Sequence, residues 1–418
     1  MLETIRSAVW GMPTVLLLLT LGCFFCFRAG LLRISVLKSS IIGLFAAKKS
    51  SSGGVSSFAA AATALGGTVG VGSIVGVGYA ISVGGAGSIF WMWVSSLFGI
   101  GLKYAEVRVA LNCGESKNGF ALGGAHWRLK SLGHPIIAVF FCVSCLLASF
   151  TTGNITQIGA ISETLFGYGM KKFTVGLVCL VTVALSVFGG RRRIARLNSV
   201  IVPTAAVAYI LTAILLLMMN ISELPSVFRK IFVSAFGFGS AAGGFSGALL
   251  ARGISEGLAR STFSNESGMG SSPLAHASVE GASENAARLG IFEVVFDSFV
   301  VSTLTALCLL SCGEGSMSSL LFYRFGDFGE GLYALMLAVL AFASVISWCY
   351  YGECCIAYLF RGRLPFYIYR ALFALCSFFG AYVSGGNAIA LADICNALMT
   401  APNIILLLLC RKEIERID

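Results

Sequence analysis

The chain reads as an all-helical, polytopic membrane protein, and three observations predict it. Of its 418 residues 57% are hydrophobic and 11% charged, with a mean hydropathy of +0.88, whereas a soluble domain carries about 25% charged residues. Apolar runs repeatedly reach the roughly 20 residues that a helix needs to cross a bilayer. Two of those runs are interrupted by glycine-dense stretches, GGTVGVGSIVG at 66–76 and FSNESGMGSSP at 263–273. Glycine inside a helix costs about 1 kcal/mol relative to alanine. In lipid every freed backbone group must also find a partner. Two such interruptions therefore imply unwound backbone lining a cavity enclosed by protein.

Taken in order, the apolar runs predict eleven spans, near 8–27, 56–83, 87–110, 134–152, 173–189, 197–219, 240–278, 287–311, 331–350, 366–384 and 387–410. The first is apolar but lacks the small-residue pattern of a cleavable signal, so it is expected to be a retained peripheral helix. The second and seventh are the broken ones. Residues 31–47 and 222–235 place Arg or Lys beside apolar positions and read as short interfacial helices. The polar, glycine-rich segment 111–133 is expected to be a loop. The whole chain, 1–418, is one membrane domain.

Lys and Arg set the orientation. With the N-terminus outside, inner segments carry Arg28, Arg33, Lys38, Lys48, Lys49, Lys103, Arg108, Lys117, Arg128, Lys130, the 191–196 cluster, Arg288, Arg361, Arg363, Arg370, Arg411, Lys412 and Arg416. Outside remain Arg6, Lys171, Lys172, Arg229, Lys230 and Arg324. This bias follows the positive-inside rule and puts the C-terminus in the cytoplasm of an inner (cell) membrane. It also accounts for the net charge of +10 without nucleic acid, GGRRRIAR at 189–196 included. Spans two to six (56–219) then begin inside with a broken helix, and spans seven to eleven (237–410) begin outside with the other. Five helices related to five by inverted topology is an arrangement reused by secondary transporters.

GTVGVGSIVGVGYAISVGGAGSIFWMWV, KYAE at 103–106, GLARSTFSNESGMGSSPLAHA at 257–277, EVVFD at 293–297, SWCYYGEC at 347–354 and ADICNALMTAPN at 392–403 resemble, in the right order, the blocks of the alanine/glycine:cation symporter family. The resemblance implies a LeuT-type fold and sodium-driven uptake of a small neutral amino acid, alanine or glycine, L or D. It also implies that the carbonyls of Gly66 and Val69 meet Ser344 around Na⁺, with Thr68 and Ser73 as remnants of a second ion position. This chain departs from the family where GTGN reads Gly70-Val71-Gly72-Ser73, where GGPG has Ala86, in GGAHWR at 123–128, and at Ala343-Ser344. Lost asparagine and hydroxyl groups bear on ion coordination, so ion number and identity stay open, with H⁺ the alternative to Na⁺, and a proton-coupled or exchange-type amino-acid carrier is the alternative reading.

The residues support the same site on their own chemistry. Unwinding over Gly70–Gly76 exposes N–H groups at a half-helix N-terminus, where the dipole favours a carboxylate. Carbonyls released from the preceding half-helix suit a hard cation. The bland alternative is that these glycines only allow close helix packing. Asn154 and Gln157 match a polar pair of the family; they either hydrogen-bond the substrate or sit as interfacial polar residues. Phe263 and Met269 are expected to wall a pocket for a small side chain, Ser264 and Asn265 to offer backbone and side-chain polar groups, Gly270 to meet the substrate at the second break, and Trp348 to stand beside Ser344. Among ionisable groups at membrane depth, Glu293 and Asp297 lie four apart on one face. Arg252, Glu256 and Arg260 are spaced to pair. With Glu266, Glu353 and Asp393, they read as gate or scaffold pairs, or as proton carriers.

Other signals exclude other classes. GVGSIVG has neither the strand nor the glycine spacing of a dinucleotide fold. Fourteen cysteines in apolar surroundings read as small packing residues. No HExxH or Walker motif is present, and GISEG at 253–257 falls within a predicted helical span rather than at a strand-to-helix GxSxG elbow, so an enzyme, an organic cofactor or ATP drive has no support. A channel would show repeated pore charges or a carbonyl filter, and the sequence has neither. The expected partners are the amino acid, its coupling ion and the lipid bilayer, with no nucleic acid and no obligatory protein partner.

Overall fold

The computed structural model describes residues 2–45, 55–111, 115–117, 120–236, 243–279, 284–313, 315–383 and 385–414. Lys48, Lys49 and the first residues of the 240–278 span lie outside them. The chain opens with α1 (Leu2–Val9), α2 (Met12–Ala29) and α3 (Ile34–Phe45). Trp10 and Gly11 separate α1 from α2, which starts with Pro13 in its first turn, so the predicted 8–27 span starts later than expected, and residues 2–9 form a helix of their own that packs on the last helix of the chain. A 90° bend between α2 and α3 lays α3 across the direction of its predecessor, as an interfacial helix should lie.

The first five-helix unit follows. The broken helix is α4 (Ser57–Thr68) and α5 (Val71–Gly84), and Ser56 caps it by accepting from the Ala59 amide at 3.1 Å. Next comes α6 (Gly87–Ala110). The predicted 111–133 loop contains a hairpin, β1 (Glu115–Lys117) with β2 (Phe120–Leu122), and a short helix α7 (Ala125–Ser131). The third helix starts as α8 (Pro135–Phe150), passes through a π-helical turn at Thr151–Ile155 and continues as α9 (Thr156–Gly167). Span four was expected to stop at 152. The polar run Thr-Thr-Gly-Asn ends the hydropathy signal but not the helix, because the side chains face protein rather than water. The unit closes with α10 (Lys172–Val187) and α11 (Gly190–Met219).

A connector, α12 (Leu224–Phe236), leads to the second unit. Its broken helix is α13 (Gly243–Asn265) and the one-turn α14 (Pro273–His276). Then come α15 (Glu284–Val294), a π segment at Val295–Ser302 and α16 (Thr303–Cys312). After them α17 (Met317–Leu359) is interrupted only at Gly326, whose φ is +59°; the 331–350 estimate missed a turn or more at each end. Last are α18 (Leu364–Gly380) and α19 (Gly385–Leu409).

Among the described residues six helices are long and apolar enough to cross a membrane, or seven if the bent α2–α3 pair is one span. The remaining spans of the eleven are shorter (α10, α18) or carry buried charge (α6, α13). Helices α4 and α5 are enclosed on nearly all sides, while α11 turns Val200, Leu211 and Met218 outward. The core is therefore built around the two broken helices, and α13 packs directly on α5 and α6.

Candidate functional site

At the first break, helix α4 ends at Thr68 and α5 restarts after Val69 and Gly70, both in non-helical conformations. Two side chains close on it. Gln157, carried inward by the helix that continues past its π turn, accepts from the Val71 amide at 3.1 Å and donates to the Thr152 carbonyl at 3.2 Å. Ser344 of α17 donates to the Gly67 carbonyl at 3.3 Å. The hydroxyl expected near the carbonyls of Gly66 and Val69 thus reaches one of the two between them, that of Gly67. Gly66 itself faces Ser347 and the Ala343 carbonyl. Ser347 in turn donates to Ala343 at 2.8 Å and accepts from Asn198.

Three hydroxyls and a carboxylate join the two breaks. Ser73, at the third position of α5, donates to Asp297 Oδ1 in a short contact, lies 3.0 Å from Ser264 and 3.4 Å from the Thr68 carbonyl. Ser264, in the last turn of α13, donates to Asp297 Oδ2 at 2.7 Å, and Ser298 reaches the same oxygen at 3.3 Å. All four side chains are buried. Asn265 beside them donates to Ser96, Ser261 and Ser298 at 3.1–3.3 Å. Thr68, Ser73, Ser264 and Asp297 thus gather hard oxygen atoms, one of them on a carboxylate, beside a half-helix N-terminus.

Gly72 touches Phe263. A Cβ there would stand 3.0 Å from the Phe263 ring and 3.2 Å from Ser264 Cα. The constraint is this contact, not backbone torsion: Gly72 is helical and is not among the residues with positive φ. At buried Gly76 an added Cβ would meet nothing nearer than the Val71 carbonyl at 3.8 Å, leaving room beside α5.

At the second break Glu266, Gly268 and Gly270 have φ of +54°, +91° and +74°. Ionisable groups hold them. Glu106 of the KYAE block accepts from the Gly270 amide at 3.2 Å and from Asn403 at 2.6 Å, and Asn403 also donates to the Gly268 carbonyl. Lys103 donates to the Glu266 carbonyl at 3.2 Å, Ser271 to the Glu266 carboxylate at 2.5 Å, and Glu293 joins Ser272 and His276. Met269 is fully buried there. From the loop side, His126 of α7 lies against Phe141 and Tyr358, with neither ring nitrogen hydrogen-bonded. Burial lowers its pKa to about 3.

A network on the other side of Phe263 seals that face. Arg260 stands 5.2 Å above the Phe263 ring and contacts Asp393. Arg6 of α1 reaches Asp393 at 2.8 Å, Glu256 at 3.0 Å and the Tyr79 hydroxyl at 3.3 Å, while Trp10 donates to the Asp393 carbonyl.

The structure therefore brings together Gly70, Val71, Gly72, Ser73, Gln157, Phe263, Asn265 and Ser344, with Gly66, Thr68 and Val69 alongside. It does not bring Asn154 there: its amide donates to the Phe373 carbonyl of α18 at 2.8 Å. Neither it nor Gln157 is interfacial, since both are buried. Trp348 packs against Gly153 and Tyr351, and the Gly270 amide is already bonded to Glu106. Sequence reasoning missed Asp297 as a site residue and Glu106, Lys103 and Asn403 as its support. Their depth in apolar segments was the available signal.

Comparisons with known proteins bear on the family and the fold. The model of the sodium:alanine symporter family matches residues 1–417. The chain is 34% identical to a sodium/alanine symporter, AgcS, of Methanococcus maripaludis, covering 98% of this chain and 94% of that protein. It is 31% identical to a putative sodium/proton-dependent alanine carrier of Bacillus subtilis, covering 98% and 89%. In three dimensions it is similar to MhsT, solved in complex with L-phenylalanine, with a TM-score of 0.56 at 14% identity, covering 84% of this chain and 88% of that one. That likeness gives the fold, a LeuT-type transporter architecture.

Proposed function

Since the chain belongs to the sodium:alanine symporter family, a family of membrane transporters rather than enzymes, we propose that it carries alanine or glycine into the cytoplasm by Na⁺-coupled symport with alternating access. The observation that carries this reading is the meeting of Ser73, Ser264 and Asp297 across the two breaks. The amides of Gly70, Val71 and Gly72 head the α5 half-helix and would receive the substrate carboxylate. Gln157 now bonds the Val71 amide, so the substrate would take its place or bind through it. Phe263 against Gly72 limits the side chain to a small one. Oxygens of Thr68, Ser73, Ser264 and Asp297 would hold Na⁺, with Asp297 supplying the counter-charge. A second ion would lie between the α4 carbonyls of Gly66 to Val69 and Ser344. The network of Arg6, Glu256, Arg260 and Asp393 is the outer barrier, with the N-terminus outside.

One observation favours a second reading, proton coupling. Glu106, Glu266, Glu293 and Asp297 are all buried around the second break with Lys103 and His276, and Glu106 Oε2 and Glu266 Oε1 have no hydrogen-bond partner among the described residues. Bare carboxylate oxygens at this depth are costly, and a proton satisfies one. Radiolabelled alanine uptake into proteoliposomes separates the readings. An inward Na⁺ gradient at equal pH drives accumulation under the first. Uptake that follows a pH gradient and ignores Na⁺ overturns it in favour of the second.

A further inference from the structure

The run GGRRRIAR, which orientation alone accounts for in the sequence, lines a built cavity. It is about 420 Å³ and lies between the start of α11, the end of α17 and the start of α18. Arg191, Arg192, Arg363 and Arg370 line it together with one carboxylate, Glu353. Both oxygens of Glu353 are engaged by Arg370, at 2.7 and 2.9 Å. The lining side chains thus hold four guanidinium groups against one carboxylate already bound bidentately.

Backbone adds to this field. Helices α11 and α18 both begin at the cavity, at Gly189–Gly190 and at Arg363, and neither has a side-chain N-cap. The positive dipole ends of two helices therefore lie at the same space, although Pro365 in the first turn of α18 contributes no amide. Arg370 also lies over the Phe366 and Tyr367 rings, 5.9 and 5.8 Å from their centroids, the aromatic company usual at a membrane–water boundary. Guanidinium forks and helix N-termini recognise one chemistry best, the phosphate group.

We propose that this cavity binds a phosphate-bearing anion, and that the phosphodiester of an anionic lipid, or free phosphate, bridges α11 of the first five-helix unit to α17 and α18 of the second. By the charge bias of the loops the cavity opens at the cytoplasmic boundary, where anionic headgroups are concentrated. The anion would stabilise the packing of the two units against each other. The proposal does not depend on what the protein transports.

The test is thermal unfolding of the purified full-length chain in neutral detergent, read by tryptophan fluorescence. Dioleoylphosphatidylglycerol, dioleoylphosphatidylcholine and sodium phosphate are added separately at constant ionic strength. Phosphatidylglycerol is expected to raise the midpoint by about 3 °C and phosphatidylcholine to leave it unchanged. A rise with sodium phosphate as well assigns the site to the free anion; a rise with the lipid alone assigns it to the headgroup. Arg191→Gln/Arg192→Gln/Arg363→Gln should abolish the rise, while Arg411→Gln/Lys412→Gln, at the far end of α19, should keep it. If the triple variant does not fold, Arg192→Gln/Arg363→Gln removes the two exposed arginines and should at least halve the rise. An equal rise in wild type and cavity variants, or no rise with either anion, overturns the proposal.

Discussion

The two breaks use opposite means to satisfy unwound backbone. At the first, the groups that bond the α4 and α5 backbone are neutral: Gln157, Ser344 and the Ser73 hydroxyl. At the second, charged Glu106 and Lys103 hold the backbone together with Asn403, which Glu106 itself anchors, while the Glu266 and Glu293 carboxylates take the hydroxyls of Ser271 and Ser272 beside it. Neutral hydrogen bonds contribute about 1 kcal/mol each and exchange readily for a ligand's, whereas a buried charged partner removed leaves an uncompensated group costing several times that. The difference teaches a division of labour. Under the proposed function the first break is the one that would open to a substrate, and the second would be a scaffold that presents Ser264 and Phe263 to it. Asp297 would then serve the first break although it stands on the second unit.

The largest expected effect lies at that shared carboxylate. Asp297→Asn keeps the shape and removes the charge. Losing a buried charge partner costs roughly 2–5 kcal/mol, so the Na⁺ concentration for half-maximal alanine binding should rise by about a hundredfold. An unchanged Na⁺ titration would move the ion elsewhere. Glu106→Gln should act on the scaffold instead. Weakening charge-assisted bonds to Gly270 and Asn403 should cost about 2 kcal/mol of stability, seen as a lower unfolding midpoint, while the folded fraction titrates with Na⁺ as wild type does. A shifted titration with normal stability would place Glu106 in the ion site.

The loop that covers the second break predicts a pH effect. His126 is held neutral in the fold, down to about pH 3, but protonates near pH 6.5 once exposed. The unfolded state therefore binds the extra proton between those values, and stability falls as pH drops below about 6.5, by roughly 2 kcal/mol at pH 5. His126→Phe should flatten that decline between pH 7 and pH 5. An equally steep decline in the variant would assign the loss to other groups. The smallest effect is expected at Ser344→Ala, a threefold to tenfold rise in half-saturating Na⁺ for about 1 kcal/mol. No rise at normal expression removes the second ion position from α17.

Much of this contrast was legible in the sequence. Glycine density marked both breaks, and the spacing of apolar runs gave the five-plus-five order, because backbone cost and bilayer thickness act locally along the chain. What was not legible depends on distant partners. Asn154 and Gln157 are three apart in one polar run, and only the π turn and the position of α18 send one to Phe373 and the other to the first break. The role of Asp297 depends on two serines far from it in sequence, Ser73 and Ser264. The contact of Gly72 with Phe263 likewise joins residues far apart in the chain.

One added methyl at each break measures the division of labour directly. Gly72→Ala places a Cβ against Phe263, and Gly270→Ala places one against Asn403 at a φ of +74°. Binding of labelled alanine at saturating Na⁺ is compared at equal amounts of folded protein, with Gly331→Ala, where an added Cβ meets nothing within 4 Å, as control. The Gly72 variant should lose alanine affinity at least tenfold with its unfolding midpoint near wild type. The Gly270 variant should lose stability yet bind alanine normally once folded. The reverse pattern, with affinity lost at Gly270 and kept at Gly72, would contradict the assignment of substrate to the first break.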